Sequence, residues 1–514
     1  MTGVQAINAT GYSKAVAEVH TPLDVDQVIA VVKAARAAHA PLYAISRGFN
    51  WGYGSRSPVI DGCSIVDLSG MNRIRNADQI SIADPVAVIE PGVTQGQLAD
   101  HLRRHCPALT FNVTGSGRDT SILGNALDRG VGYLGPRKDD IYGLEVVCGT
   151  GEVLRTGFRR LGEDSVLARS HPYGLGPILD GLFSQANFGI VTSACFRLVP
   201  RRPKEIALSL ALRHEEDLAA FIDELARLKR EGLLSSVTHI GNKARTHATL
   251  MRGIVGYLQQ QCGFAVELAK REGEVALGVV APHEWTSLSS VSGNAAQVAA
   301  MLGEIRRRMR PLARVTVVTQ ALLDRGYSIA HALRFIPLAR ANAAAISAIR
   351  PLHAMALGEP SDVAVDNLLW QFGRPDLPAS ELDRSSCGIL YICPALPLNG
   401  RMAVNVIEGM KKVAAAYRHT LYITVNIETS SSMVAVINIL FDRGIPEEAE
   451  RAHRCSDALL EFIHAQGLEV YRARADMMEK IVAADPAYWA LVRSLKNELD
   501  PDNIISPGRY NVAA

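Results

Sequence analysis

Several protein classes are excluded by what this chain lacks. No stretch of about twenty apolar residues occurs, so no membrane span is expected. The longest apolar tract near the end, residues 433–441, has only the length of a strand. The first twenty residues show no basic start followed by an apolar run, so no secretory signal is expected there. Charge of one sign is also missing. The 54 basic and 52 acidic residues leave a formal net charge of +2, which gives no global attraction for nucleic acid or an anionic membrane. The local cluster Arg306, Arg307, Arg308 and Arg310 reads as the solvated face of a helix. The eight cysteines (63, 106, 148, 195, 262, 387, 393 and 455) are scattered with no CxxC pair. That argues against a metal site or a disulfide scaffold and for buried thiols in a reducing cytoplasm. Two phosphate-binding signatures are absent as well: no GxGxxG opens a helix after a strand, and no GxxxxGK[ST] occurs.

What is present is a long, ordinary globular composition. The chain has 514 residues, 48% hydrophobic and 21% charged, which exceeds what one core usually organises and predicts two or more domains. The first 200 residues alternate helix and strand. Helical spacing covers 22–39 and 95–104, and strand-like runs cover 41–46, 64–68 and 86–90. Residues 144–154 read as a hairpin, and 188–198 as a long strand ended by Pro200-Arg-Arg-Pro203. Beyond that boundary come amphipathic helices, at 215–231, 293–310 and 447–466, with strands between them. Glycine and proline signals resume from Gly467 onward.

Three glycine-bearing loops stand out in the first part. Residues 47–55 carry glycines at 48, 52 and 54; residues 114–133 carry a second series; residues 184–192 form a third small-residue segment. Glycine lets backbone N–H groups approach an anion closely, and successive N–H groups form an anion-binding nest. One such loop is a turn more often than a ligand site, but three in one α/β unit point to a phosphate-bearing cofactor.

The segments ISRGFNWGYGS (45–55), VIEPGVTQGQL (88–98), SILGNALDRGVGY (121–133), VYRARADMMEKI (470–481) and NELDPDNIISPGRY (497–510) resemble the vanillyl-alcohol oxidase and p-cresol methylhydroxylase family of flavoproteins. The match is strong over the first 200 and last 45 residues and patchy between them. The resemblance implies an α+β protein: a discontinuous PCMH-type FAD-binding domain at 1–204 and 467–514, with an α+β cap inserted at 205–466. FAD is the implied cofactor and a small aromatic the implied substrate, with O2 or another acceptor taking the electrons. Homodimers are common among relatives, so a homodimer is an expectation by analogy only.

The resemblance also implies site residues. Backbone and side chains of Arg47, Gly48, Phe49, Asn50, Trp51 and Gly52, then Pro91, Gly92, Ser121, Gly124, Asn125, Gly132, Gly189, Ile190 and Val191, would hold FAD, with Arg509 near the flavin pyrimidine. Tyr53, Tyr471 and Arg472 match a clamp on a phenol oxygen, and Tyr133 a tyrosine beside substrate and flavin. Such a clamp is sound chemistry, because a phenolate pushes electron density to its para carbon as hydride leaves the benzylic position for flavin N5. Ser116, Tyr391 and Val434 would line the substrate pocket.

Two departures narrow the expectation. The family's covalent tether falls here on Ile389, which cannot bond to a flavin, so non-covalent FAD is expected; Cys387, two residues away, is the one alternative. Ser116 stands where alcohol-oxidising members carry an aspartate, and serine is a poor proton acceptor. With Val434 and Ala435 where relatives have histidines, the pocket is expected to be apolar and short of bases. The fitted function is FAD-dependent oxidation of a para-substituted phenol. Two rivals stand beside it: a 2-hydroxy-acid oxidase or dehydrogenase on the same fold, and a flavin-binding subunit without turnover.

Overall fold

The structure is a computed structural model that describes residues 4–511. Two four-stranded sheets form in the first 200 residues. One runs in the order Val4–Gln5, Ala15–His20, Cys63–Asp67, Leu42–Ile45, and its last three strands are parallel. Parallel strands need a crossover, supplied by the helix Val25–Ala37. Asp24 caps that helix by accepting from the Gln27 N–H, and Val28, Val32 and Ala35 form its buried stripe. The second sheet is antiparallel, in the order Val153–Arg155, Ile141–Cys148, Gly189–Arg197, Val86–Ile89. The expected 144–154 hairpin is part of it. The glycines at 130–135 form a short hairpin, Val131–Gly132 with Gly135–Pro136.

The C-terminal segment closes this unit. Leu42 N–H donates to the Ile504 carbonyl and Ser506 N–H to the Leu42 carbonyl, both at 2.7 Å. Ile504 and Ile505 then share one apolar cluster with Val28, Leu42, Val66, Val147 and Ile190, drawn from both sheets. A buried ion pair fixes the approach. Lys496, 1% exposed, donates to Asp500 Oδ2 at 2.5 Å and to the carbonyls of Asn187 (2.6 Å) and Ile505 (2.9 Å). Asp500 fits only because residue 149 is glycine: a Cβ there would stand 2.1 Å from Asp500 Oδ1.

The inserted region is built on an eight-stranded antiparallel sheet. Its order is Ala313–Val318, Lys204–Leu212, Trp285–Gly293, Thr238–Asn242, Tyr422–Ile427, Met433–Asp442, Cys387–Tyr391, with Ala395–Leu396 paired to the end of Met433–Asp442. The period of two sorts its side chains. Leu208, Ile240, Ile423, Val425, Ala435 and Ile437 face the helices Leu218–Arg230, Ala295–Met309, Gly400–Ala416 and Pro446–Ala465. The register His239↔Asn426↔Val434 and Tyr391↔Asn438 puts the other set on the opposite face. A further helical layer, Lys243–Cys262, Val266–Val280, Gln320–Ala332 and Pro337–Ala356, has its own core. Among the described residues no helix is long and apolar enough to cross a membrane.

Substituting one partner of a buried pair leaves the other charge uncompensated, at about 3–5 kcal/mol. Lys496→Met is therefore expected to lower the unfolding free energy in urea by about that amount, and Lys496→Met with Asp500→Leu to recover most of it. Equal loss in the single and double variants would show that the segment is not held by this pair.

Candidate active site

A groove runs between the two small sheets and the returning C-terminal segment. Its lining comes from residues 43–50, Ser116, 120–128, 183–191, Arg472 and 505–509. Local sequence shapes it. Gly48 has φ of 71°, in the left-handed region that favours glycine. The N–H groups of Arg47, Gly48, Phe49 and Asn50 donate to no partner among the described residues. Ser121 caps the helix Ile122–Leu127, accepting from Gly124 N–H and donating to the Pro91 carbonyl at 2.5 Å. Gly124 lies so close to Ser46 that a Cβ would stand 2.6 Å from its hydroxyl. Asn125 Oδ1 and Asn187 Oδ1 are buried without hydrogen-bond partners among the described residues. Ile45, Leu68, Phe183, Ile190 and Ile505 supply apolar wall. Open backbone donors, idle amide acceptors and flat apolar walls are the donor set a flavin dinucleotide needs. The residues present therefore fit FAD, with 46–50 and 121–125 placed to meet its phosphates.

Most expected groove residues line it, but five do not. Trp51 turns away to stack on Phe49 (5.3 Å between ring centroids) and pack with Val365 and Leu369 of the cap helix Val363–Gln371. Gly92 backs onto the Ser69 carbonyl and Gly132 onto the Asn112 amide, contacts that exclude a side chain at either place. Pro91 acts from behind, through Ser121. Gly52 meets the cap instead: a Cβ would stand 2.5 Å from the Tyr391 ring.

The three residues expected to form a clamp come together. Arg472 Cζ sits 4.0 Å over the Tyr53 ring, and the Tyr471 hydroxyl faces Tyr53. Burial pushes both tyrosine hydroxyls well above the usual range, so both remain donors at neutral pH. On its other side Tyr53 stacks on Tyr391, 4.9 Å between centroids and 6° from parallel. Arg472 is not an isolated cation. Its Nη2 donates to Asn50 Oδ1 and to Asp128 Oδ2. Asp128 also receives Asn50 Nδ2 at 2.8 Å and Arg509 Nη2 at 2.6 Å, while Arg509 Nη1 donates to the Tyr43 hydroxyl at 3.1 Å. Burial would raise the Asp128 carboxyl, but Arg472 and Arg509 outweigh it and hold it below the usual carboxylate range. Arg472 Nε remains buried without a partner among the described residues.

Other pocket residues depart from expectation. Ser116 Oγ is tied into a hydroxyl chain, 2.6 Å from Thr114 Oγ1 and 2.9 Å from Thr120 Oγ1. Val434 faces the site but Ala435 faces the helices. The cap face is polar where an apolar one was expected: His239, Asn426, Asn438 and Tyr391 share it. His239 Nδ1 lies 2.7 Å from Asn426 Oδ1, and burial pushes the imidazole down to about 4, so it is neutral. The Tyr133 ring meets it edge-on at 5.2 Å. Glu428, two residues beyond Asn426, is 6% exposed with Oε1 unpartnered among the described residues; burial, then Asp139, pushes it up to about 7. Its charge is felt at Tyr471. Asp128 and Glu428 escaped the sequence reading because an acidic residue in a loop or turn is usually solvated; only the alternation along Tyr422–Ile427 hinted at Glu428. Cys387 is buried, which pushes its thiol up to about 12.

A depressed carboxyl stabilises the folded state above the unfolded value of about 3.9 and loses that contribution as pH falls through its folded pKa. Asp128→Asn is thus expected to flatten the fall in urea stability between pH 6 and pH 3. The same slope in both proteins would show that Asp128 carries no such linkage.

Comparison with known proteins gives the family. An FAD binding domain model matches residues 16–157. The chain is 32% identical over 502 residues to 1'-carboxy-chondrochloren decarboxylase of Chondromyces crocatus, covering 96% of this chain and 90% of that protein. It is 27% identical to the 4-cresol dehydrogenase [hydroxylating] flavoprotein subunit of Pseudomonas putida, over 96% and 87% of the two chains. The crystal structure of p-cresol methylhydroxylase with substrate bound superposes with a TM-score of 0.78 at 24% identity, over 98% of this chain and 91% of that one. A relative of that identity and coverage, and a groove of that chemistry, place the chain in the p-cresol methylhydroxylase (PCMH) type of FAD-linked oxidoreductases, a flavoprotein with an FAD-binding domain and a cap.

Proposed function

We propose that the protein oxidises a para-substituted phenol, held as its phenolate by Tyr53, Tyr471 and Arg472. The observation that carries this is Arg472 Nε, buried and without a partner among the described residues, beside the Tyr53 and Tyr471 hydroxyls, which stay protonated, with Cys393 Sγ 3.7 Å from the Tyr53 hydroxyl. Three donors and a cation converging in a dry site favour an oxygen anion. The Pseudomonas putida relative, named for 4-cresol, supports the phenol over a 2-hydroxy acid.

Each residue has a task. Arg472 lowers the phenol's pKa, and Asp128 keeps the guanidinium aimed. The hydroxyls of Tyr53 and Tyr471 fix the oxygen, and Tyr391 and Tyr133 wall the ring. Glu428 accepts a proton at the clamp end, near Tyr471. Bound FAD supplies a two-electron acceptor, reoxidised by O2. It is held without a covalent bond, because Ile389 carries no nucleophile and the Cys387 thiol is buried and protonated. A second reading is favoured by the Chondromyces crocatus relative, named as a decarboxylase: the oxidised substrate loses CO2 instead of gaining water.

Acid-precipitated protein is expected to leave FAD in the supernatant; yellow colour retained in the washed pellet would show a covalent link. Anaerobic mixing with a 4-alkylphenol is expected to bleach the oxidised flavin. Loss of one hydrogen bond to an anion costs about 1.5–3 kcal/mol, so Tyr471→Phe should slow bleaching roughly 10- to 150-fold without loss of FAD. Full rates in both Tyr471→Phe and Arg472→Lys would reject the clamp.

A further inference from the structure

The cap face above the clamp holds one cation that no described residue neutralises. Arg245 lies in the first turn of the helix Lys243–Cys262, its N–H bonded to the capping Asn242 side chain at 3.0 Å. Its stem packs over the preceding strand at residue 241, where a Cβ would stand in ordinary contact, 3.7 Å from Arg245 Cγ. Gly241 and His239 are two apart on Thr238–Asn242, so Arg245 overlies the face that carries His239, Asn426 and, across the sheet, Tyr391. Its charge reaches Tyr133, His239 and Tyr391.

The other inward arginines are tied. Arg472 and Arg509 share Asp128, Arg474 pairs with Asp476, and Arg443 is held by backbone carbonyls. The Arg245 guanidinium makes no ion pair or hydrogen bond with any described residue. His239 is neutral beside it and offers no compensation. Tyr391 is stacked on Tyr53, over whose ring Arg472 sits, and lies within the field of Arg245. Arg245 and the clamp thus both neighbour Tyr391.

We propose that Arg245 receives a carboxylate carried on the phenol's side chain, and that the substrate is a 3-(4-hydroxyphenyl)propanoate-type acid that undergoes oxidative decarboxylation. This rests on the phenolate reading of the clamp. The atoms balance without a further reagent. Once the benzylic hydride has been given up to the two-electron acceptor, the substrate is a quinone methide with a carboxylate on the adjacent carbon. The bond to CO2 breaks, its electron pair forms the new C=C bond, and electrons flow through the ring to restore the phenolate. The products are a vinylphenol and CO2. Neither water nor a base is needed, which suits a site whose Ser116 hydroxyl is occupied by Thr114 and Thr120. Arg245 binds and orients, so its effect falls on affinity more than on turnover.

The test compares 3-(4-hydroxyphenyl)propanoate with 4-propylphenol on the FAD-loaded protein, by calorimetric binding, flavin bleaching and release of labelled CO2 from the carboxyl-labelled acid. Wild type is expected to bind the acid more tightly and to release one CO2 per flavin reduced. Arg245→Gln should weaken acid binding roughly 10- to 100-fold, leave 4-propylphenol within about twofold, and be partly rescued by Arg245→Lys. Bleaching by 4-propylphenol with no preference for the acid and no CO2, or equal losses for both ligands in Arg245→Gln, would overturn the carboxylate site alone. No bleaching by either compound would overturn the phenolate reading, and this proposal with it.

Discussion

One buried carboxylate organises the active end of this molecule. Asp128, 7% exposed, accepts from Arg472 and Arg509 of the C-terminal segment and from Asn50 of the first glycine loop. Two guanidiniums alone in that space would repel each other and lose their hydration; the carboxylate between them makes their burial tolerable. It thereby ties three stretches of chain that are far apart in sequence. The groove wall, the aim of Arg472 over Tyr53 and the seat of Arg509 all depend on that one group. The Lys496–Asp500 pair does the same at the far end of the segment, where Gly149 leaves room for it.

The second constraint is the two-faced sheet of the cap. Its antiparallel strands alternate strictly enough that one face is a helix-covered apolar core and the other the roof of the site. A sheet with one solvated or ligand-facing side can carry polar groups there with little destabilisation. That is why His239, Asn426, Asn438 and Tyr391 are tolerated over the clamp, and why Ala435 and Val434, adjacent in sequence, serve opposite purposes.

The resulting site is rich in donors. The end proposed to bind the phenol oxygen has a cation and two hydroxyls, with Glu428 nearby; Ser116, at the other position, is occupied by neighbouring hydroxyls. On the proposed phenolate reading, such an arrangement favours removing a hydride from an already anionic substrate, whose fate is then set by its para substituent, and so by the cap rather than by the flavin-binding part.

The sequence by itself determined the parts that depend on short range. The caps and stripe of Val25–Ala37, the strands flanking each glycine loop and the left-handed turn at Gly48 are decided within a few residues, and the terminal motifs that resemble the PCMH family sit inside them. FAD, the fold class and the company of Tyr53, Tyr471 and Arg472 were legible for that reason. The tertiary structure alone decided the partners. Asp128 meets a residue 344 positions away, Trp51 turns toward a cap helix, and Arg245 lies over Gly241 with no counter-ion among the described residues. Nothing local marks a carboxylate that will be buried or an arginine that will stay unpaired. Those states are set by which distant segments pack around the side chain.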